Sequence, residues 1–436
     1  MVRPNPERLA ISPSPPRAAF ALPWDDPTVT DPVAALQRAR ADLGDTFEVV
    51  SGRDRYLFVF SPEALRAFYA LPERDASKGL ADYRMLVRKL PEELFAGVRT
   101  LAHDLFGAQE VETYLGHLDH ALDLEVAELG AQGTIDAFAF ARRVGHRLGL
   151  ACWVGDRAAE APWFDRLAGE LDRLDGADAF VHPARMPAVA SSDKRAERAA
   201  LARFEKAVGE LLTATRPADR EQAGLLDEIA RRWSDTAQPE RTQGIARDVV
   251  LLHIATMTNL FAALGWTLAQ LVLDPETLAR VAAGDASLLD RCALESTRMG
   301  QCSVMSRTVM TALELDDGAT RYQVSPGVTV ATMLALTNTS AGPGLDRYEP
   351  DRWEGSRLRD EGSLAAREAV TTFGHGAHRC PARRFSLSAI TRTVRCLTDR
   401  YELEARFTAL RPVAEQIGGV ARAADPCPIA YRAREL

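Results

Sequence analysis

The chain has 436 residues, 46% of them apolar and 26% charged, and 53 Lys+Arg against 61 Asp+Glu leave a formal net charge of -8 at pH 7. These values exclude a disordered or collagen-like chain, leave room for a large buried core, and argue against nucleic acid or an anionic membrane as the main partner. The six cysteines (Cys152, Cys292, Cys302, Cys380, Cys396, Cys427) show no CxxC pair and no zinc-like spacing, so a disulfide scaffold is not expected.

In chain order, residues 1–30 are a Pro-rich lead-in, with five prolines before Ala18 and two more at Pro23 and Pro27, expected to lie on the surface. No apolar stretch there is long enough for a signal peptide, and the expected location is therefore the reducing cytoplasm. Asp31-Pro32 opens a helix, with Asp as cap and Pro in the first turn. Thr46–Val50 and Tyr56–Phe60, parted by Ser51-Gly52-Arg53-Asp54, read as a hairpin. From Pro62 to about Arg232 the pattern is helical. Apolar residues recur at three- and four-residue spacing in His117–Leu129, Ala158–Leu174 and Lys194–Leu212, with a loop from His182 to Ser192. Val249 to Leu273 holds 25 residues without a charge, long enough to cross a bilayer. The polar residues spread along it (His253, Thr256, Thr258, Asn259, Thr267, Gln270) favour the central helix of a large fold over a membrane span. Strands are expected from Ser306 to Leu315 and from Val324 to Ala331, and short strands between loops from Tyr401 to Arg434. No repeat or low-complexity linker divides the chain, so one domain over 1–436, mainly α with small β-sheets, is the expectation.

The segment from Thr372 to Phe385 (TFGHGAHRCPARRF) carries the most chemistry. Two glycines and Cys380 stand in a loop that leads into a helix from about Pro381 to Tyr401. A thiol at a helix N-terminus meets free N–H groups and the positive end of the dipole, which favour the thiolate, and Arg379, Arg383 and Arg384 push the same way. A thiolate so held suits an axial ligand of haem iron.

The pattern formed by Phe373, Gly376, His378, Cys380 and Ala382 resembles the haem-binding loop of the cytochrome P450 superfamily, bacterial soluble type. Six further features agree in order. Glu295-Ser296-Thr297-Arg298 is similar to the family's ExxR, and Pro350-Asp351-Arg352-Trp353 to its PERF segment. The resemblance implies a buried network of Glu295, Arg298 and Arg352 that holds the thiolate loop in place. Trp266 followed by Pro275-Glu276 matches the end of the long central helix. Arg99, four residues after Phe95, stands at a haem-propionate position, Arg307 at a second and His378 at a third. Gly44-Asp45-Thr46-Phe47 and Gln416-Ile417-Gly418-Gly419-Val420 resemble the first strand and the last substrate loop. The family implies haem b (iron protoporphyrin IX) ligated by Cys380, a ferredoxin or flavodoxin electron donor, a lipophilic small-molecule substrate and a monomer without a membrane span.

Counting back from Trp266, the family's acid–alcohol pair, which relays protons during oxygen activation, falls on Thr258 and Asn259. Neither supplies the acid, and the alcohol position holds an amide. Thr256 or Thr258 could still anchor a water chain. Asn259, the short segment Met299–Ser306 without the usual Pro pair, and Pro381 after Cys380 resemble the branch containing cholesterol 7α-hydroxylase and prostacyclin synthase. That branch holds both oxygenases and a peroxide isomerase. A monooxygenase is the preferred expectation, a peroxide-using or isomerising enzyme the alternative, and a non-enzymatic helical binding protein a remote third.

Asn259 could instead simply bond a backbone carbonyl. The lining expected from the family comes from Lys78–Leu90, Asp178–Met186, Ala255, Asn259, Ser303, Val304 and Ile417–Gly418. Arg379, Arg383, Arg384, Arg392 and Arg395 form either a solvated helix face or a basic docking surface for an acidic electron donor. His103, His117, His120, His146, His182 and His253 show no ligand spacing and are expected to be solvated or satisfied core residues.

Overall fold

The computed structural model describes residues 14–97, 106–174, 181–214 and 225–435. Arg99 and His103 lie outside the described residues, as do positions 178–180.

Asp31 starts α1 (Pro32–Leu43), its carboxylate accepting the Ala34 N–H at 2.9 Å. The hairpin β1 (Thr46–Ser51) and β2 (Asp54–Val59) follows as expected. Ser61 caps α2 (Pro62–Ala70) and Ser77 caps α3 (Lys78–Leu86), preceded by the two-residue strand β3 (Ala76–Ser77). The helices α4 (Ala108–Leu129), α5 (Ala137–Val154), α6 (Trp163–Leu174), α7 (Met186–Ser191), α8 (Arg195–Ala214), α9 (Leu225–Arg232), α10 (Glu240–Leu273), α11 (Pro275–Ala282) and α12 (Ala286–Gly300) make the bulk of the molecule. They are interrupted by β4 (Gln132–Asp136) and followed by β5 (Val304–Val309), β6 (Leu313–Asp316), β7 (Arg321–Val324) and β8 (Thr329–Met333). α13 (Leu334–Ser340), β9 (Trp353–Glu354), β10 (Arg357–Leu358), α14 (Arg383–Arg400), β11 (Tyr401–Ala405) and β12 (Pro428–Ala433) complete the order.

The main sheet runs β1-β2-β8-β5-β3, parallel only between β2 and β8. A second sheet, β11-β12-β4, joins the chain's end to its first third. The core gathers around α10, which is buried along most of its length from Gly244 to Val272. Its closest partner is α5, and glycine is the reason: a Cβ on Gly145 would lie 2.2 Å from the Phe261 ring and one on Gly149 2.6 Å from His253 Nδ1. α10 is long and apolar enough to cross a membrane by length and composition, yet 67% of its most apolar window is buried within the fold. This mainly α architecture with small sheets is consistent with the fold that the sequence resemblance implies.

Several expectations need correcting. The lead-in is not all surface. Ala18 N–H donates to Glu48 O at 2.8 Å, and Leu22 and Trp24 are buried against β1 and β2, where each large apolar side chain contributes about 1.5–3 kcal/mol. The stretch from Pro62 to Arg232 contains β3 and β4 as well as helices, because β12 supplies β4 with a partner that no local pattern announces. Ala158–Leu174 is not one helix: a 3₁₀ turn at Asp156–Ala159 precedes α6, with Pro162 at the break. The expected loop from His182 to Ser192 holds a 3₁₀ turn, Pro183–Arg185, and α7. The helix after Cys380 starts at Arg383.

Candidate functional site

Cys380 stands three residues before α14 and is half-buried. Its N–H donates to Phe373 O at 2.7 Å, closing the loop whose turns Gly374 and Gly376 make at φ +77° and +62°. Ala382 is buried in the main core, while Phe373 stays partly open. The thiol's acidity runs opposite to the sequence expectation. Burial pushes the Cys380 pKa above its ordinary value, and the Ala382 N–H, which favours the thiolate, offsets only part of that. The arginines expected to help are engaged elsewhere or exposed: Arg383 donates to Ser356 O at 3.2 Å, Arg384 to Glu112 at 2.6 Å, and Arg379 faces solvent.

Beneath the loop the structure brings Glu295, Arg298 and Arg352 together. Arg298 Nε and Nη2 donate to the two Glu295 oxygens at 2.8 and 2.7 Å, and Arg352 Nε to Oε1 at 2.9 Å. Trp353 Nε1 and the Glu349 N–H complete the carboxylate's shell at 2.8 and 3.0 Å. Burial raises the Glu295 pKa, but these donors outweigh it and hold the group below its ordinary value. Asn338, which no sequence signal singled out, carries this network to the Cys loop. Its Nδ2 donates to Arg298 O and Thr371 O at 3.1 and 2.9 Å. Its Oδ1 accepts the Thr371 N–H at 2.8 Å, and Thr371 Oγ1 accepts the Gly374 N–H at 2.7 Å. A buried Asn in the polar run TNTS of α13 was the only trace of it in the sequence.

Arg307 on β5 and His378 also meet, with Arg307 Nη2 donating to His378 Nε2 at 2.6 Å. Burial, then the Arg307 charge, keep the His378 pKa below its ordinary value. Glu73 Oε2, a residue the sequence reading passed over, lies 3.2 Å from the same histidine nitrogen. Arg307 Nη1 donates to Phe68 O and Leu71 O, but its Nε is buried with no hydrogen-bond partner.

Across from this side, Ala255 and Asn259 are exposed one turn apart on the otherwise buried α10, so the helix borders open space there. Thr256 Oγ1 donates back to Leu252 O at 2.6 Å, and Thr258 is half-buried. Asn259 Oδ1 accepts the Val420 N–H at 3.0 Å, so its partner is the last loop and not a neighbouring helix carbonyl. Ser303 and Val304 are half-buried, with Ser303 Oγ donating to Gly419 O at 3.1 Å. Ile417 departs from the expected lining: it is buried in the apolar cluster with Met186 and Cys302. Lys78–Leu90, part of the expected lining, is helix α3 as far as Leu86. A hydrogen-bonded circuit joins the two sides, because Gln301 Nε2 donates to Thr372 O at 2.9 Å and Cys302 N–H to Gly419 O at 2.9 Å.

On the outer face of α14 the arginines are less free than their number suggests. Arg384 pairs with Glu112, Arg392 with Asp119 and Arg400 with Asp123, all on α4. Arg379 and Arg395 make no ion pair among the described residues. His146 Nδ1 and His253 Nε2 lie 2.9 Å apart, whereas His253 Nδ1 is buried with no partner among the described residues, so this core histidine is satisfied at one nitrogen. Among the described residues no group of His, Cys, Asp or Glu could itself cage a metal ion.

These residues fit a haem. A half-buried thiol offers one ligand, the buried Arg307 Nε, without a partner among the described residues, can meet an anionic oxygen, and Ala255 leaves open space on α10. No family model matches the chain. It is similar to the cytochrome P450 monooxygenase pyvB of Aspergillus violaceofuscus, 23% identical over 406 residues that cover 86% of this chain and 80% of that one. It is also similar to pentalenene oxygenase of Streptomyces avermitilis, 29% identical over 129 residues, 29% of this chain and 28% of that one. The fold and these two relatives together support an oxygenase of the cytochrome P450 superfamily, which implies a haem cofactor, a redox partner and a small-molecule substrate.

Proposed function

We propose that the chain is a haem b monooxygenase that takes electrons from a ferredoxin or flavodoxin and hydroxylates a lipophilic small molecule. The observation that carries this reading is the placement of Cys380: half-buried, its loop closed by Phe373 O, with one N–H from Ala382 near the sulfur. When bound, the haem supplies activation of dioxygen. Cys380 Sγ would ligate the iron, and because Pro381 has no N–H the sulfur keeps electron density that a second donor would withdraw. Burial raises the pKa of this thiol, and because the ligand is the thiolate, binding of iron would be coupled to loss of its proton. Arg307 and His378 would bind propionate oxygens, joined by Arg99. Ala255 makes room beside the distal face, and Thr256 and Thr258 can hold water by their hydroxyl lone pairs. The Asn259 amide cannot release a proton near neutral pH, so it does not replace the missing acid.

Arg379, Arg383 and Arg395, the arginines of α14 and its lead-in without acidic partners among the described residues, are the steering charges of the proposed electron-donor surface. A monomeric single domain in the cytoplasm, with α10 as its core helix, completes the reading. The absent acid favours one second reading, an enzyme that uses or rearranges a peroxide. Purified protein should be red-brown and give the thiolate Soret band as its reduced carbon-monoxide complex, and Cys380→Ala should lose that band. A colourless protein expressed with haem available overturns the proposal. Oxygen uptake coupled to reduced nicotinamide separates the oxygenase from the peroxide enzyme.

A further inference from the structure

We infer that Asn259 is a positioning residue: its side-chain oxygen pins the loop 416–422 to the central helix and thereby sets the shape of the space beside Ala255. The inference rests on the proposed function for calling that space a substrate site, but the contact itself stands on geometry. Only an oxygen can accept the Val420 N–H, so the 3.0 Å bond fixes which way the amide is turned. Gly419 guards the contact. It has φ +68°, and a Cβ there would lie 2.5 Å from Asn259 Oδ1.

The rest of the loop is held from other directions. The buried Gln416 donates to Gly418 O and Val420 O, both at 3.0 Å, and accepts the Arg422 N–H at 2.8 Å, which keeps the turn in shape. Cys302 N–H and Ser303 Oγ hold Gly419 O from the segment after α12, at 2.9 and 3.1 Å. Trp266 Nε1, two turns further along α10, donates to Ala421 O at 2.6 Å. Asn259 therefore ties the loop's tip to the one stretch of α10 that is open. A residue in the family's alcohol position is here engaged in placing the loop, and Gly419, whose carbonyl accepts the hydroxyl of the half-buried Ser303, lies beside Asn259 Oδ1. A guest that fits must match the space this bond defines.

The test is amide hydrogen exchange of the peptide covering 416–422 in the haem-loaded protein, comparing wild type with Asn259→Leu, Asn259→Asp and Gly419→Ala. Loss of one hydrogen bond should speed exchange at Val420 about five- to tenfold in Asn259→Leu. Asn259→Asp keeps an accepting oxygen and should restore wild-type protection, which a loss of packing alone would not do. Gly419→Ala should reproduce the Leu result without touching Asn259. Unchanged exchange in both Asn259→Leu and Gly419→Ala, or an Asp variant as unprotected as the Leu variant, overturns the inference. If wild type lacks the thiolate Soret band, the proposed function fails while the exchange pattern still reports on the bond. If the band is present and exchange does not respond, the bond fails alone.

Discussion

The ground beneath Cys380 and the loop opposite it are built in contrasting ways. On the cysteine side, one buried carboxylate, two arginines, an indole and an asparagine form a closed set of hydrogen bonds running from Arg352 through Glu295, Arg298 and Asn338 to Thr371. On the other side, loop 416–422 is tied to α10 by separate single bonds from Asn259 and Trp266, with Gln416 bonding within the loop and Cys302 and Ser303 meeting Gly419 O. A network whose members share partners moves as a unit or not at all, whereas separate bonds can be changed one at a time. The cysteine side is thus fixed, and the loop side is adjustable.

The contrast can be broken most severely at Glu295. Glu295→Gln leaves the buried Arg298 without its counter-charge and Arg352 with Glu349 alone, 3.3 Å away, and should destabilise the fold by about 3–5 kcal/mol, read from the denaturant midpoint. A loss under 1 kcal/mol would remove the idea that the ligand side is locked by charge. Asn338→Ala leaves the Thr371 carbonyl and N–H without their partner and Arg298 O with the Gln301 N–H alone, 3.4 Å away, and should lower stability by about 3 kcal/mol. The thiolate Soret band should also fade at lower denaturant than the global unfolding signal, and simultaneous loss would mean that Asn338 does not act on the Cys loop in particular.

A smaller effect sharpens the other half of the comparison. On the back of α10, His253 is kept well below its ordinary pKa by burial, then by the charges of His146 and Arg142, with Asp172 opposing weakly. The folded state therefore refuses a proton that the unfolded chain accepts below about pH 6.5, so stability falls as pH drops. Between pH 7 and pH 5 this histidine should account for at most about 2 kcal/mol of the loss. His253→Gln should flatten the pH dependence of unfolding over that range, and an unaltered slope would assign the loss to other groups. Asp172, pushed up by burial but held at about 2 by its His146 hydrogen bond and the nearby charges, stays ionised throughout and does not enter the slope.

What could be read locally was readable for a physical reason. Caps such as Asp31 and the hairpin at Ser51–Asp54 act within a few residues, so composition and spacing were enough. Glu295 and Arg298 sit one turn apart, and their meeting follows from helical geometry. Asn338 was illegible because its three partners lie 33 and 40 residues away. The pairing of Arg384 with Glu112 spans 272 residues, which is why the basic helix face looked freer in the sequence than it is.

By itself the sequence determined the residue types and spacings around Cys380, the charge-free helix, and the lack of an acid at Thr258 and Asn259. Only the tertiary structure decided that burial outweighs the helix terminus at the Cys380 thiol, that Ile417 is buried while Ala255 is open, and that Asn259 holds the last loop. Covalent order and local backbone geometry settle the first group. Desolvation and long-range hydrogen bonds, which depend on what the rest of the chain packs against each group, settle the second.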